Sequence, residues 1–313
     1  MSDERAAGPY PAARVRSSVL PNVPFPDHAL LDSGDAEKLE RFGGVVLRRP
    51  DPQALWKPRL PSSEWDRADL AFVRESDRGG RWEARRGADP RARGEKPVWD
   101  VTFDACRFRI RPTPFKHVGL FPEQATNWRL LAELRACFGV ERPRMLDLFG
   151  YTGAASIVAA KSGYDVTHVD ASKTSLSWAR ENAAASGLAE DAVRWVLDDA
   201  LAYARREVRR GSKYHVLLLD PPHFGRGPKG ETWRFEEGIA PLVEAARELV
   251  EARALAVLST YAIGCSPLAL ENLLGSFGPG ELEAGELALP EEGADGRRLP
   301  AGFCARWSRG IER

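Results

Sequence analysis

RPRMLDLFGYTGAASIVAAKSGYDVTHVD, at residues 142–170, carries the pattern from which the fold class follows. Its first apolar run ends at Asp147, a loop containing two glycines follows, and ASIVAAKSG then has a helical pattern. A second apolar run, YDVTHVD, ends at Asp170. A buried strand, a short loop, a helix and another buried strand are the repeating unit of a parallel sheet, so this stretch predicts an α/β fold.

The same unit recurs towards the C-terminus. Three further apolar runs are each followed by a helical segment: VRWVLDD (193–199), YHVLLLDPP (214–222) and ALAVLST (254–260). Two more candidate strands, ELALP (286–290) and GFCARWS (302–308), come after the last helix. We therefore predict a Rossmann-like sheet of seven strands with helices on both faces.

The first third of the chain has a different texture. Residues 1–26 are rich in Pro, Ala and Arg and predict a flexible arm, whereas the signals in 27–115 are short and strand-like. VWDVTFDACRFRIRP (98–112) alternates apolar and polar residues about a central turn and predicts a hairpin, and the charged segment 74–96 predicts a solvated loop. We expect a small β-rich substrate-recognition domain at 27–115, followed by a ligand-binding α/β domain at 116–313.

Composition limits the possible partners and compartments. Lys plus Arg and Asp plus Glu number 45 each, so a nucleic-acid partner needs a local basic patch. The four cysteines lie far apart and lack metal-site spacing, which favours reduced thiols and no metal. The N-terminal residues lack the apolar segment of a signal peptide, and no apolar run is long enough for a membrane helix, so we expect a cytoplasmic protein. The oligomeric state stays open between monomer and homodimer.

Aspartates stand at or just after the ends of four predicted strands. Ligands of open α/β sheets bind where such ends meet, so these side chains are candidates for one site. The loop after Asp147 lacks the dinucleotide fingerprint GxGxxG, and an acid that opens the loop suits the α-ammonium group of an amino-acid-bearing ligand. Asp170 is placed to chelate two ribose hydroxyls. Of Asp198 and Asp199, the latter is favoured as acceptor for an adenine amino group, and Asp220 completes the set.

The fourth strand runs directly into Asp220-Pro221-Pro222-His223-Phe224. The prolines fix the backbone and lack N–H groups, so we expect their carbonyls to be free acceptors. Asp220 and a carbonyl would hold the N–H groups of a planar amine while Phe224 stacks on its ring. His223 is either a proton acceptor or a solvent-facing loop residue.

The glycine-rich segment GRGPKGETWRFEEG (225–238) follows this loop. It predicts a mobile lid in which Arg226 and Lys229 contact phosphate and Trp233 stacks on a base. A solvated loop without such contacts is the alternative.

These segments together resemble the class I S-adenosylmethionine-dependent methyltransferases, and more closely the bacterial group that includes large-subunit rRNA cytosine-C5 methyltransferases. The resemblance is carried by KHVGLFPEQATNW (116–128), MLDLFGYTGAAS (145–156), HVDASKTSLSWARENAAASG (168–187), LLLDPPHFGRGPKG (217–230) and LPAGFCARWS (299–308). It implies S-adenosylmethionine as the cofactor, methyl transfer to a base in RNA, with rRNA as the substrate, and a catalytic loop at residues 220–224. The cofactor-binding residues that it implies are Gln124, Asp147, Phe149, Gly150, Tyr151, Thr152, Gly153, Asp170, Ala171, Ser172, Asp198, Asp199 and Asp220.

The chain departs from this family pattern in two places. Phe149 and Tyr151 stand where the family's loop carries glycines. Cytosine-C5 methylation needs a cysteine nucleophile after the fifth strand, but Ser259 and Thr260 occupy those positions and Cys265 comes later. Cys265 could reach the site if the loop folds back, but a buried, inert thiol is favoured. An amine or ring-nitrogen acceptor is therefore chemically simpler.

Three other functions stay open. A methyltransferase that acts on a protein side chain or a small molecule agrees with the neutral overall charge. A non-catalytic RNA-binding relative would keep the fold but bind no methyl donor. An NAD-dependent dehydrogenase is disfavoured because the dinucleotide fingerprint is absent.

Overall fold

The computed structural model describes residues 16–76, 79–85, 87–261, 264–293 and 296–311. Residues 1–15 of the predicted flexible arm therefore lie outside the described residues. Its next part, Arg16–Val19, forms strand β1, which pairs in parallel with the edge of the large sheet. In the part of the chain that the structure describes, no helix is both long and apolar enough to cross a membrane.

A five-stranded sheet occupies the first third of the chain, with strands adjacent in sequence order. Its elements are β2 (His28–Gly34), β3 (Glu37–Phe42), β4 (Val45–Pro50), helix α1 (Ser62–Trp65), β5 (Leu70–Ser76) and β6 (Gly79–Ala84). A 3₁₀ turn, Pro90–Ala92, follows this sheet.

The solvated loop predicted for 74–96 is wrong over its first part, because β5 and β6 pair there as an antiparallel hairpin. Phe72 and Trp82 pack edge to face at 5.4 Å. The charged side chains stand on the exposed strand positions, where Arg81 pairs with glutamates of the hairpin. Because charged residues occupy these exposed positions, the sequence of this segment resembled a solvated loop rather than two strands.

A predicted hairpin links the two halves of the chain. It consists of β7 (Trp99–Phe103) and β8 (Cys106–Ile110), with Asp104 in a left-handed conformation at the turn, φ 50°. Its inward residues Val101 and Phe108 are fully buried. The chain then passes through the 3₁₀ turn Pro122–Gln124 into helix α2 (Ala125–Leu134) and a second 3₁₀ turn, Arg135–Phe138.

The large sheet lies in the C-terminal two-thirds of the chain. Its strands and the elements between them are β9 (Arg144–Leu148), α3 (Ala154–Lys161), β10 (Asp165–Asp170), α4 (Lys173–Ala185), β11 (Val193–Leu197), α5 (Ala200–Arg209), β12 (Tyr214–Leu219), β13 (Phe224–Arg226), β14 (Thr232–Arg234), α6 (Phe235–Arg247), β15 (Val250–Thr260), α7 (Pro267–Gly275), β16 (Glu281–Pro290) and β17 (Arg298–Arg309).

Its strand order is β1-β16-β17-β15-β12-β9-β10-β11. The five strands from β15 to β11 are parallel, and β17 runs antiparallel to both of its neighbours. The predicted α/β class and Rossmann-like sheet are confirmed, and β1 adds an eighth strand to the seven expected.

Apolar layers cover both faces of the large sheet. Leu146 and Leu217 belong to the core beneath α5 and α6, whereas Met145 and Val216 face α2, where Leu131 packs on them. Strands buried on both faces read as continuous apolar runs, which is why the sequence identified them. The strand order reverses between β9 and β12, and a crevice opens above their carboxyl ends.

A largely buried ionic junction joins the small sheet to the connection between β16 and β17. Arg297 donates to Asp32 at 2.8 Å and to Glu291 at 3.0 Å. The Asp32 carboxylate also accepts the indole N–H of Trp65 at 3.0 Å. Because all of these charges are paired and hydrogen-bonded, the junction fixes the small sheet against the large one.

Candidate active site

A cavity of about 810 Å³ opens at the carboxyl ends of the central strands, at the reversal of strand order. Its volume is in the range of small-molecule binding sites. Fourteen of the predicted site residues line it, namely Gln124, Asp147, Phe149, Gly150, Tyr151, Thr152, Asp170, Ala171, Ser172, Asp199, Asp220, Pro222, Arg226 and Trp233. Six others lie outside the lining, namely Gly153, Asp198, Pro221, His223, Phe224 and Lys229.

The loop after β9 keeps a glycine-type backbone although two bulky residues occupy it. Phe149 and Tyr151 have φ of 63° and 52°, and Gly153 has φ of 83°. Left-handed backbone costs a non-glycine residue about 1 kcal/mol or more. Two contacts hold the strained residues: Tyr151 donates its N–H to Asp170, and Phe149 packs on Trp233 with ring centroids 4.8 Å apart. The departure at these two positions therefore leaves the path of the loop intact.

Gly150 lies at the closest approach of this loop to the sheet. A Cβ atom added there would come within 2.3 Å of the His168 ring and 2.9 Å of the Asp147 carboxylate. Asp147 is itself buried and accepts a hydrogen bond from Ser156 at 2.6 Å, and the same hydroxyl lies 2.9 Å from His168 Nδ1. Ser156 and His168 thus fix the carboxylate that faces the cavity.

Asp170 is held by the backbone at the end of β10. Its two oxygens accept the N–H groups of Tyr151 at 2.9 Å and Ser172 at 2.7 Å. Burial raises the pKa of Asp170, while these two hydrogen bonds favour the ionised form. The carboxylate is therefore oriented before any ligand binds.

The two aspartates after β11 have different surroundings. Asp198 forms an ion pair with Arg206 and lies outside the cavity. Asp199 lines the cavity and caps helix α5, where its side chain accepts the N–H of Ala202 at 2.8 Å. The structure thus places Asp199 at the predicted site and Asp198 beside it.

Asp220 is an acid in an apolar and anionic environment. Burial, followed by the charges of Glu123 and Asp147, raises the pKa of Asp220 to about 7. Gln124 donates its amide to Asp220 Oδ2 at 3.4 Å and accepts from Asn127 at 2.7 Å. The carboxyl group therefore exchanges its proton near neutral pH.

The expectation of free proline carbonyls is wrong for Pro222. The indole N–H of Trp233 donates to the Pro222 carbonyl at 2.7 Å, since β13 and β14 form a short hairpin that folds back on the loop. Trp233 is buried, with 6% of its surface exposed, so it forms part of the cavity wall. Phe224 is 52% exposed and His223 lies 3.4 Å from Glu236.

Two aromatic residues of the cavity wall were missed by the sequence reasoning. Phe121 packs on Tyr151 at 5.7 Å and lies nearly parallel to Tyr261 at 6.5 Å, with an interplanar angle of 25°. His117 also lines the cavity, and burial lowers its pKa to about 3, which keeps the ring neutral. His117 and Phe121 both belong to KHVGLFPEQ (116–124), whereas Tyr261 follows β15, so the meeting of Phe121 and Tyr261 depends on the sheet topology.

The arginines of β8 do not form an open basic surface. Arg109 lies 3.5 Å from Glu181 and 3.8 Å from Asp100. Arg107 lies 3.9 Å from Asp100, and Arg111 pairs with Glu181. Ion pairs thus largely neutralise the positive charge of the arginines of β8 and of Arg111, which follows it.

Cys265 lies away from the cavity lining and packs partly against the core. Burial raises the pKa of its thiol, so the reactive thiolate is disfavoured. Ser259 is the residue near the end of β15 that lines the cavity.

Comparison with known proteins identifies the family. A solved S-adenosylmethionine-dependent methyltransferase from Agrobacterium tumefaciens has 38% sequence identity and a TM-score of 0.83, over 95% of this chain and 97% of that chain. The chain belongs to this methyltransferase family. The family profile described as "Conserved hypothetical protein 95" matches residues 124–229.

Two relatives of this methyltransferase carry more specific names. The "Ribosomal RNA large subunit methyltransferase K" of Neisseria meningitidis is 25% identical over 225 residues, which are 70% of this chain and 60% of that protein. The "Ribosomal RNA large subunit methyltransferase K/L" of a Shewanella species is 33% identical over 128 residues, or 40% of this chain. The matched part is 17% of the K/L protein's length.

The cavity fits S-adenosylmethionine, the cofactor of this family. The buried Asp147 suits an α-ammonium group, and the doubly oriented Asp170 suits a pair of ribose hydroxyls. Asp199 adds an acceptor at the next strand. Three consecutive strands, β9, β10 and β11, thus each contribute one carboxylate to the cavity wall, at or just after the end of the strand.

Proposed function

We propose that this methyltransferase transfers the methyl group of S-adenosylmethionine to a nitrogen of an RNA base, with rRNA as the substrate. The observation that carries the proposal is the position of Asp220 in the same cavity wall as Asp147, Asp170 and Asp199. The names of the relatives support rRNA as the acceptor. We further propose that the protein acts in the cytoplasm, where rRNA is made in bacteria.

When bound, S-adenosylmethionine supplies a methyl group on a sulfonium, which is a strong leaving group. The main tasks of the chain are then orientation and exclusion of water. Asp147, Asp170 and Asp199 hold the cofactor, and the aromatic wall formed by Phe121 and Tyr261 excludes solvent from one side. Orientation of this kind contributes much of the acceleration in group transfer.

The loop 220–224 presents the acceptor. The ionised Asp220 accepts a hydrogen bond from the acceptor's N–H group, and the exposed Phe224 offers a ring face to a flipped base. Trp233 holds Pro222 in place through its indole N–H. A nitrogen acceptor is favoured over cytosine C5 because Cys265 lies outside the cavity.

The RNA would approach across the β13–β14 hairpin and the first third of the chain. Arg226 lines the cavity mouth, and Lys229 lies at the tip of the hairpin. The small β-rich domain proposed for 27–115 leads into residues 113–117, four of which line the cavity, so it is placed to contact bound substrate. These contacts are proposed to supply phosphate and shape recognition.

One experiment tests cofactor and acceptor together. Purified protein is incubated with S-adenosyl-[methyl-³H]methionine and separate rRNA, protein and small-molecule fractions, and labelled RNA is digested for nucleoside mass spectrometry. We expect label in rRNA, on a base nitrogen. Label in 5-methylcytidine would contradict the choice of nitrogen, and label in protein or small molecules alone would contradict the RNA acceptor. Absence of cofactor binding in calorimetry would contradict the enzymatic proposal and favour a non-catalytic relative.

A methyltransferase of proteins or small molecules is the second candidate. It is favoured by the pairing of Arg109 and Arg111 with Glu181, which reduces the positive surface available to RNA. The labelled fractions above distinguish the two candidates.

A further inference from the structure

A second, much smaller cavity lies beside Asp220. Its volume is about 10 Å³, close to the space of a single water molecule. Glu123 and Asp220 both line it, and it shares Phe121, Gln124 and Tyr261 with the large cavity. A proton that reaches Asp220 from the large cavity therefore has a second carboxylate across a water-sized space.

The 3₁₀ turn Pro122–Gln124 brings Glu123 to this position. The turn follows directly on Phe121 of the aromatic wall, and Gln124 attaches it to Asp220 through the 3.4 Å hydrogen bond. Glu123 is partly buried, so part of its surface is exposed to solvent.

Charged groups face Glu123 from both sides. From the small sheet these are Lys38, Arg49 and Glu40, and from the cavity Asp220 and Tyr261. Facing Asp220 are Glu123 and Asp147, with Tyr261 beside them.

We propose that Glu123 and Asp220 form a proton-exit pair that removes the proton released when the acceptor nitrogen is methylated. The proposal rests on the proposed transfer to nitrogen. Asp220 is the member that touches the substrate, and Glu123 is a positioning residue that acts through Asp220.

The step balances in atoms and electrons. The nitrogen lone pair forms the N–C bond as the C–S bond breaks, and the sulfur keeps that electron pair as a neutral thioether. The nitrogen is then cationic, and it passes one proton to the Asp220 carboxylate. Asp220 releases this proton through the small cavity to Glu123, which releases it to solvent.

The pKa values of the pair agree with this role. Burial raises the pKa of Glu123, and burial together with the Glu123 charge raises the pKa of Asp220 to about 7. Two carboxylates that repel each other titrate as a coupled pair and retain one proton over an intermediate range of pH. Asp220, with a pKa of about 7, can therefore accept and release a proton near neutral pH beside a second carboxyl group.

The test uses full-length protein with Glu123→Gln, and Glu123→Asp as the matched variant that keeps a carboxylate. The carboxyl of Asp220 is followed by ¹³C NMR in protein labelled at aspartate carboxyls, with the resonance assigned by Asp220→Asn. Cofactor affinity is measured by calorimetry, and single-turnover methyl transfer is measured between pH 5.5 and 9.

We expect Glu123→Gln to lower the Asp220 midpoint by about one pH unit, because a like charge is removed. Methyl transfer at pH 7 should fall by about tenfold, which is less than the roughly 10²–10⁴-fold loss expected for removal of the general base itself, because Asp220 is retained. The dissociation constant for S-adenosylmethionine should change less than about twofold. Glu123→Asp should restore most of the rate. An unchanged Asp220 midpoint, or a shifted midpoint with an unchanged rate, would overturn the pair.

Misfolding of the variant and failure of the proposed function can each be distinguished from failure of the proton-exit pair. If Glu123→Gln loses cofactor binding through misfolding, Glu123→Ala replaces it, with the same expected results. If wild-type protein binds no cofactor or methylates no nitrogen, the proposed function fails. The NMR titration still reads the coupling of the two carboxyls in that case, and a single-step Asp220 titration at an ordinary midpoint would overturn the coupling itself.

Discussion

The backbone N–H of Tyr151 donates to Asp170 Oδ2 at 2.9 Å, so the loop after β9 is attached to the end of β10. One carboxylate therefore both fixes a strained loop and faces the cofactor cavity. Changes at Asp170 should affect cofactor binding through both routes.

We predict that Asp170→Asn raises the dissociation constant for S-adenosylmethionine by about ten- to hundredfold, since a charged acceptor contributes about 1.5–3 kcal/mol. Asp198→Asn is the matched control, because Asp198 pairs with Arg206 outside the cavity lining. It should change the constant by less than about twofold, within the usual range of surface substitutions. Calorimetry measures both, and equal effects of the two variants would contradict this assignment.

Gly150→Ala should disrupt the loop after β9. The added methyl group would overlap the His168 ring at 2.3 Å, where neither the ring nor the buried sheet can move freely. We expect a loss of about 2 kcal/mol in unfolding free energy, typical of a buried overlap. Gly225→Ala meets its nearest atom at 3.5 Å and should keep the wild-type melting temperature. Urea denaturation of both variants checks the prediction, which a stable Gly150→Ala protein would refute.

Because of Asp220, the unfolding free energy of the wild-type protein should fall as the pH rises. Its folded-state pKa of about 7 lies above the ordinary value, so the folded protein holds a proton that the unfolded chain has lost between about pH 4 and 7. The unfolding free energy therefore falls over that range, and Asp220→Asn should remove this part of the fall. We expect Asp220→Asn to be more stable than wild type at pH 8 and inactive in methyl transfer. Urea midpoints at pH 5 and pH 8 provide the measurement. If Asp220→Asn is less stable than wild type at pH 8, the raised pKa of Asp220 is contradicted.

Substitutions of Phe224 and Trp233 should have different effects, because Phe224 is proposed to contact the substrate whereas Trp233 supports the loop. Phe224→Ala removes a half-exposed ring and should leave the melting temperature unchanged while methyl transfer falls by about tenfold or more. Trp233→Phe loses the hydrogen bond to Pro222 and should lower both stability, by about 1 kcal/mol, and activity. Thermal melts and single-turnover rates distinguish the two. Full activity of Phe224→Ala would exclude its role in holding the base.

The repeating strand and helix pattern was sufficient to predict the sheet and the acids at its edge. Strands buried on both faces are continuous apolar runs, so Asp147, Asp170 and Asp220 stood out where those runs end. Parallel strands then bring these ends together without further information.

Contacts between distant segments were beyond the sequence pattern. The indole N–H of Trp233 donates to the Pro222 carbonyl because a hairpin of two three-residue strands folds back, and nothing local in the sequence predicts that hydrogen bond. Phe121 and Tyr261 are 140 residues apart and meet through the strand order of the sheet. In β5 and β6 the charged residues obscured the alternation of apolar and polar positions that would have predicted strands.

Strand β1 has a consequence for how the chain acquires its structure. It comes from residues 16–19 but pairs with 283–286, so the two partner segments are far apart in the sequence. During translation residues 16–19 cannot pair until residues 283–286 have left the ribosome, because the partner strand does not exist before then. Contacts of such long sequence separation form late and slowly, and closure of this sheet edge would be a final event in folding.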